Sequence, residues 1–138
     1  MVGGEEMKAA RNSQFIFALL LACLCICFIP RIAVAQAIKT SVSEILGNQA
    51  KYDGKMVKVE GKIESLKSRT SKRGNPYTTF TIRDSSGGSL NVFSFGTLHI
   101  RGGDSVVVMG RYQKVKRVLG LAFYNEIDAT EGSVRKIR

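Results

Sequence analysis

Cysteine and histidine are scarce in this sequence of 138 residues: the three cysteines fall together at positions 23, 25 and 27, and His99 is the only histidine. Zinc sites of the common types draw four ligands chiefly from these two residue types, so the chain past residue 27 cannot build one. His99 stands between Leu98 and Ile100, which suits a packed or surface side chain better than a metal ligand or general base. Prolines number only two, and 44% of the residues are hydrophobic against 23% charged, which excludes a collagenous, low-complexity or disordered chain. Walker loops, Gly-x-Ser-x-Gly elbows and His-Glu-x-x-His runs are all missing. The aspartates at 53, 84, 104 and 128 sit at strand ends or turns, where such a side chain holds the local backbone, and no two make an acid–base couple. A non-enzymatic protein with no metal and no cofactor is expected.

What is present begins with an export signal. Lys8 and Arg11 form a charged start, and Phe15 to Ile29 is unbroken apolar or Cys sequence, shorter than the roughly 20 residues of a membrane span. Small residues at Ala33 and Ala35 place cleavage before Gln36; Ala35 and Ala37 allow a cut before Ile38. Two further readings stay open. Leu20-Leu21-Ala22-Cys23 is similar to a bacterial lipobox, and the segment could be retained as an anchor. The expected location is periplasmic or secreted, with membrane contact only if the segment is retained or lipidated. Losing residues 1–35 leaves 18 Lys and Arg against 9 Asp and Glu, net +9, and no thiol for a disulfide. Length allows one domain, organised as signal peptide 1–35, helix and turn 36–55, barrel 56–128 and a basic tail 129–138.

Ser41-Val42-Ser43-Glu44 fits a capping box, with Val42, Ile45, Leu46 and Ala50 along one helical face and Gly47 as an early stop. After the turn at Tyr52-Asp53-Gly54, Val57, Val59 and Ile63 alternate with charged residues as a first strand, which Gly61 lets bend. Residues 68–76 read as a basic loop, Tyr77–Arg83 as a second strand, and Asp84 to Gly88 as a turn into a third. Matching the apolar parities sets Ile82 against Leu90 and Phe80 against Val92, and hence Tyr77 against Phe95 and Thr79 against Phe93. Val106–Met109 is a fourth strand ended by Gly110, Gln113–Arg117 a second basic loop, and Leu119, Leu121 and Phe123 the inner face of a fifth strand running through Ile127. The fold class is therefore all-β, a five-stranded Greek-key barrel with a short N-terminal helix.

Three runs, Val57-Lys-Val-Glu-Gly-Lys-Ile, Phe80-Thr-Ile-Arg-Asp-Ser-Ser-Gly and Gly103-Asp-Ser-Val-Val-Val-Met-Gly, resemble the OB-fold nucleic-acid-binding domains of the anticodon-binding type. The resemblance covers residues 56 to about 128. It implies a ligand groove on the outer face of the second and third strands, bordered by the loops between strands one and two and strands four and five. Charge distribution points to the same place. No acid occurs between Glu64 and Asp84, where Lys67, Arg69, Lys72 and Arg73 fall, nor between Asp104 and Glu126, where Arg111, Lys114, Lys116 and Arg117 fall. With Tyr77, Phe93 and Phe95 as floor, the eleven residues match the single-strand recipe of phosphate attraction plus base stacking. Single-stranded nucleic acid is the expected partner; the alternative is an envelope protein whose barrel binds a protein partner, an anionic envelope polymer or a lipid headgroup.

Overall fold

The computed structural model describes residues 36–137, so the signal, its cleavage and its lipidation lie outside the described residues. Along the chain run β1 (Ile38–Thr40), α1 (Val42–Gly47), α2 (Gln49–Tyr52), β2 (Met56–Thr70), β3 (Pro76–Arg83), β4 (Ser89–Phe95), β5 (Ser105–Val118) and β6 (Leu121–Lys136). The all-β expectation holds in a six-stranded sheet, in which β2–β6 overlap the expected strands and β1 pairs in parallel with β2. At the helix start the Ser41 hydroxyl accepts from the Glu44 amide at 3.1 Å, half of the capping box. The Glu44 carboxylate accepts instead from Asn48 Nδ2 and the Tyr52 hydroxyl. Because α1 ends at Gly47 and the chain restarts as α2, the helical stripe slips: Val42 and Ile45 are buried, Ala50 is exposed, and Tyr52 takes its place inside.

The sheet order is β1-β2-β3-β4-β6-β5, and an additional β2–β5 pairing closes β2–β6 into a ring. The 15-residue β2 makes this possible by serving two neighbours: Met56–Lys62 pairs with β5 and Lys62–Thr70 with β3. Gly61 stands at the changeover, where a Cβ would come within 3.1 Å of the Arg83 carbonyl oxygen and of Ile82 Cβ. The β3–β4 register is the one expected, Tyr77 against Phe95, Thr79 against Phe93, Phe80 against Val92 and Ile82 against Leu90. Inward-facing Val59, Ile63, Ile82, Val92, Val108, Tyr112 and Ile127 fill the ring, and α1 covers one end with Val42 and Ile45. Four of the five strands contribute residues at period two, as a half-buried sheet requires.

Five sequence expectations are corrected. Gly110 does not end its strand: β5 continues to Val118, and Gly110 sits at a bulge where a Cβ would lie 2.5 Å from the Asp128 carbonyl oxygen. Gln113–Arg117 is not a loop but one strand of a hairpin turned by Leu119 (φ 50°) and Gly120 (φ 80°), two left-handed residues that match the twist of a tight hairpin. Leu119, Leu121 and Phe123 are not an inner face, because the hairpin runs past the core; Leu119 is 99% exposed. Residues 129–136 are not a tail but continue β6 against Val106–Met109, where a Cβ on Gly132 would overlap the Met109 carbonyl. The loop expected at 68–76 also shrinks to a tight reversal between Thr70 and Pro76, since both flanking strands extend into it.

Candidate functional site

The outward side chains of β3 and β4 are the complement of the core pattern: with Phe80, Ile82, Leu90 and Val92 inside, Tyr77, Thr79, Asn91, Phe93 and Phe95 must point out. Tyr77 stacks on Phe93 at a centroid distance of 5.7 Å, and Phe93 meets Phe95 edge-on at 5.1 Å. These rings floor an open cavity of about 930 Å³. Its first wall is the far half of β2, where Ser65, in a left-handed conformation, shifts the register between Glu64 and Lys67 and sends Lys67 and Arg69 along the rim. Its second wall is the β5–β6 hairpin, which supplies Lys116, Val118, Phe123 and Tyr124. Asn91 ties the floor to that wall by donating from Nδ2 to the Tyr124 carbonyl at 3.2 Å.

Six of the eleven anticipated residues therefore come together: Lys67, Arg69, Tyr77, Phe93, Phe95 and Lys116 all line the cavity. Lys72 and Arg73 lie exposed in the β2–β3 reversal, outside the lining. Arg111 is turned toward the chain itself, donating to the Gly54 carbonyl at 2.7 Å. Lys114 and Arg117 are exposed on the hairpin and do not line the cavity. His99 is exposed, in the segment between β4 and β5. Among the described residues, no three His, Cys, Asp or Glu side chains gather as a metal-ligand set.

Sequence reasoning missed the acids. Asn125, with φ at 50°, interrupts the alternation of β6, so Phe123 before it and Glu126 and Asp128 after it all line the cavity. Lys116 Nζ donates to Glu126 Oε1 and to Asp128 Oδ2, both at 2.8 Å, and lies 4.5 Å from the Phe93 ring centre. Burial opposes the Lys116 charge, yet the hydrogen bonds from both carboxylates outweigh it and hold its pKa above the ordinary lysine value. Burial likewise opposes the Asp128 charge, and Lys116 together with Thr130 holds its pKa below the ordinary carboxylate value. With one ammonium against two carboxylates the cluster keeps an excess negative charge, and the cavity's uncompensated cations are Lys67 and Arg69. The sequence signal was available in the i, i+2 spacing of Glu126 and Asp128, which puts both on one strand face.

Asp84, Asp104 and Asp128 hold the local backbone as their positions suggested, whereas Asp53 reaches across the fold to Lys114 and Asp84 also reaches Ser43. Asp84 accepts from the amides of Ser86 and Ser43, Asp104 from that of Arg101, Asp128 from that of Thr130, and Asp53 from that of Lys114, all at 2.9 to 3.0 Å.

No protein-family profile matches the chain, and no curated protein matches it. Among solved structures it is similar to a protein from Leishmania major Friedlin provisionally assigned as an aspartyl-tRNA synthetase, with a TM-score of 0.52 and 13% identity over 78% of this chain. It spans only 22% of that protein. It is also similar to a protein from Klebsiella pneumoniae subsp. pneumoniae MGH 78578 provisionally assigned as a nucleic acid-binding lipoprotein, with a TM-score of 0.50 and 20% identity over 78% of this chain and 98% of that one. What is shared is the fold. At these identities the cavity's chemistry has to be argued from its own side chains.

Proposed function

We propose that the chain is an exported, non-enzymatic OB-fold module whose five-stranded Greek-key barrel binds single-stranded nucleic acid in the cavity over β3 and β4. The observation that carries this reading is the contiguous ring platform of Tyr77, Phe93 and Phe95, floored on rigid sheet and bordered by Lys67 and Arg69. Every base has a π-face that can stack on such rings, and a phosphate backbone running along β2 would meet the two cations. The names given to both structural relatives agree with this reading, as does the net charge of +10. A second reading, a protein partner in the same cavity, is favoured by Glu126 and Asp128, since carboxylates there repel phosphates.

Titrating labelled oligonucleotides into residues 36–138 at several salt concentrations separates the two. Phe93→Ala should weaken oligonucleotide binding by about 1–3 kcal/mol with the salt slope unchanged. Lys67→Ala with Arg69→Ala should flatten the slope of log affinity against log salt by about 0.7 per lost phosphate contact. If the wild type binds dextran sulfate as tightly as oligonucleotides and Phe93→Ala has no effect, the nucleic-acid reading fails.

A further inference from the structure

Of the eight exposed large apolar side chains among the described residues, six belong to the β5–β6 hairpin: Val115, Val118, Leu119, Leu121, Phe123 and Tyr124. Val118, Phe123 and Tyr124 help wall the cavity, but Leu119 and Leu121, at 99% and 63% exposed, lie beyond it at the tip. Val118 pairs with Leu121 and Val115 with Tyr124. Cross-strand partners share a face, and an odd offset between 115 and 118 puts the two pairs on opposite faces. The ribbon is thus apolar on both sides and at its end.

We propose that the hairpin tip, Val118–Leu121, inserts into the headgroup region of an anionic lipid bilayer. A folded partner or a stacked base covers one face of a ribbon; a tip that is apolar on two faces and forward needs a medium that surrounds it. Charge complements that medium. From Ser105 to Asn125 the chain carries no acid. Lys116 is neutralised by Glu126 and Asp128, whereas Lys114 and Arg117 form no ion pair among the described residues and stand beside the apolar tip. Long basic side chains placed just behind an inserting apolar tip reach back to lipid phosphates.

Reach and depth also agree. From Arg117, whose side chain stays with the headgroups, to the turn at Leu119 the ribbon extends about 7 Å at roughly 3.3 Å per residue, within the 5–10 Å of interfacial insertion. Going deeper would bury the unpaired amides and carbonyls along both ribbon edges in hydrocarbon, which holds the tip at the interface. Leu119 and Leu121, the residues that insert furthest, lie outside the cavity lining, although Val118 belongs to both.

The test uses residues 36–138, which contain every strand and the whole core of the described residues and belong to a compact unit from Ala35 onward. The sequence has no tryptophan, so Leu121→Trp adds a single reporter. Its emission should shift to the blue on adding phosphatidylglycerol–phosphatidylethanolamine vesicles and not on adding phosphatidylcholine vesicles. Leu119→Asp with Leu121→Asp should lower co-sedimentation with the anionic vesicles by about tenfold or more, and Lys114→Ala with Arg117→Ala should erase the preference for anionic lipid. Three results would overturn the proposal. One is no binding by a protein that is folded by circular dichroism. Another is binding abolished by Lys67→Ala with Arg69→Ala but indifferent to the tip, which would assign it to the cavity. A third is a blue-shifted reporter without lipid in a dimer that the Asp variants dissociate, which would place a second copy on the tip.

Discussion

Lys116→Met tests the reading that one cation holds two carboxylates together inside the cavity. The lysine, glutamate and aspartate side chains are 18%, 9% and 23% exposed, so this cluster is much nearer to a buried ion pair than to a surface one. Surface pairs contribute about 0–1 kcal/mol, while removing one partner of a buried pair costs about 3–5 kcal/mol because the other charge is stranded. Partial exposure discounts the upper figure, and the expected loss is about 2–3 kcal/mol near neutral pH. Its pH dependence is the sharper expectation. In the wild type, Asp128 titrates below the ordinary carboxylate value, so its contribution is present above that value and lost as pH falls through the lower folded one. Lys116 titrates above the ordinary lysine value, so its contribution is intact through neutral pH and lost only in strong alkali. In the variant, Asp128 lacks its cation and lies in the same cavity as the Glu126 carboxylate, so it protonates more readily folded than unfolded, and acid stabilises the variant relative to wild type. Urea unfolding of both proteins at about pH 7 and about pH 4 should show the difference shrink to roughly 1 kcal/mol or less. Adding Glu126→Gln and Asp128→Asn to the variant should recover most of the loss at neutral pH. A difference below about 0.5 kcal/mol, or one equal at both pH values, would refute the cluster's role.

Gly132→Ala should destabilise more than Gly61→Ala in thermal melts, by about 1–3 kcal/mol against less than about 1 kcal/mol, because its Cβ meets the Met109 backbone whereas the Gly61 neighbours need give only slightly. Ser41→Ala removes the acceptor for the Glu44 amide and should cost about 0.5–2 kcal/mol in denaturant unfolding. Asp53→Ala frees the Lys114 amide at the root of the hairpin, and hydrogen exchange should show faster opening of residues 113–124 than of the ring strands.

Where the sequence could be read, it was read through the difference between an inside and an outside. Phe80, Ile82, Leu90 and Val92 alternate against polar neighbours, and that parity alone set the β3–β4 register and placed three aromatic rings outside. The hairpin at 113–124 defeats the same logic, since a ribbon extending beyond the core has no buried face to impose an alternation. Its apolar residues then imitate a core strand, and its cations a loop. The second half of β6 was hidden for the opposite reason: Ala129, Gly132 and Val134 are small inward residues that give a weak signal among Thr130, Glu131, Ser133 and Arg135. Single left-handed residues at Ser65 and Asn125 changed which side chains reach the cavity, the first with a register shift and the second without one. Lys116 was counted as a free cation because Glu126 and Asp128 lie past the left-handed Asn125, which turns them into the cavity without a shift in register.

The changeover in β2 carries a kinetic consequence. Pairing β3 with β4 joins residues that are near neighbours in the chain, as does pairing β5 with the hairpin half of β6, so both hairpins can form early. Sealing the ring requires Met56–Lys62 to find Ser105–Arg111, segments roughly fifty residues apart, and that search carries a loop-closure entropy cost before any contact repays it. Refolding should therefore be slow for a chain of this size, on the millisecond-to-second scale of non-local β topologies, with the two hairpins protected against exchange before the first half of β2.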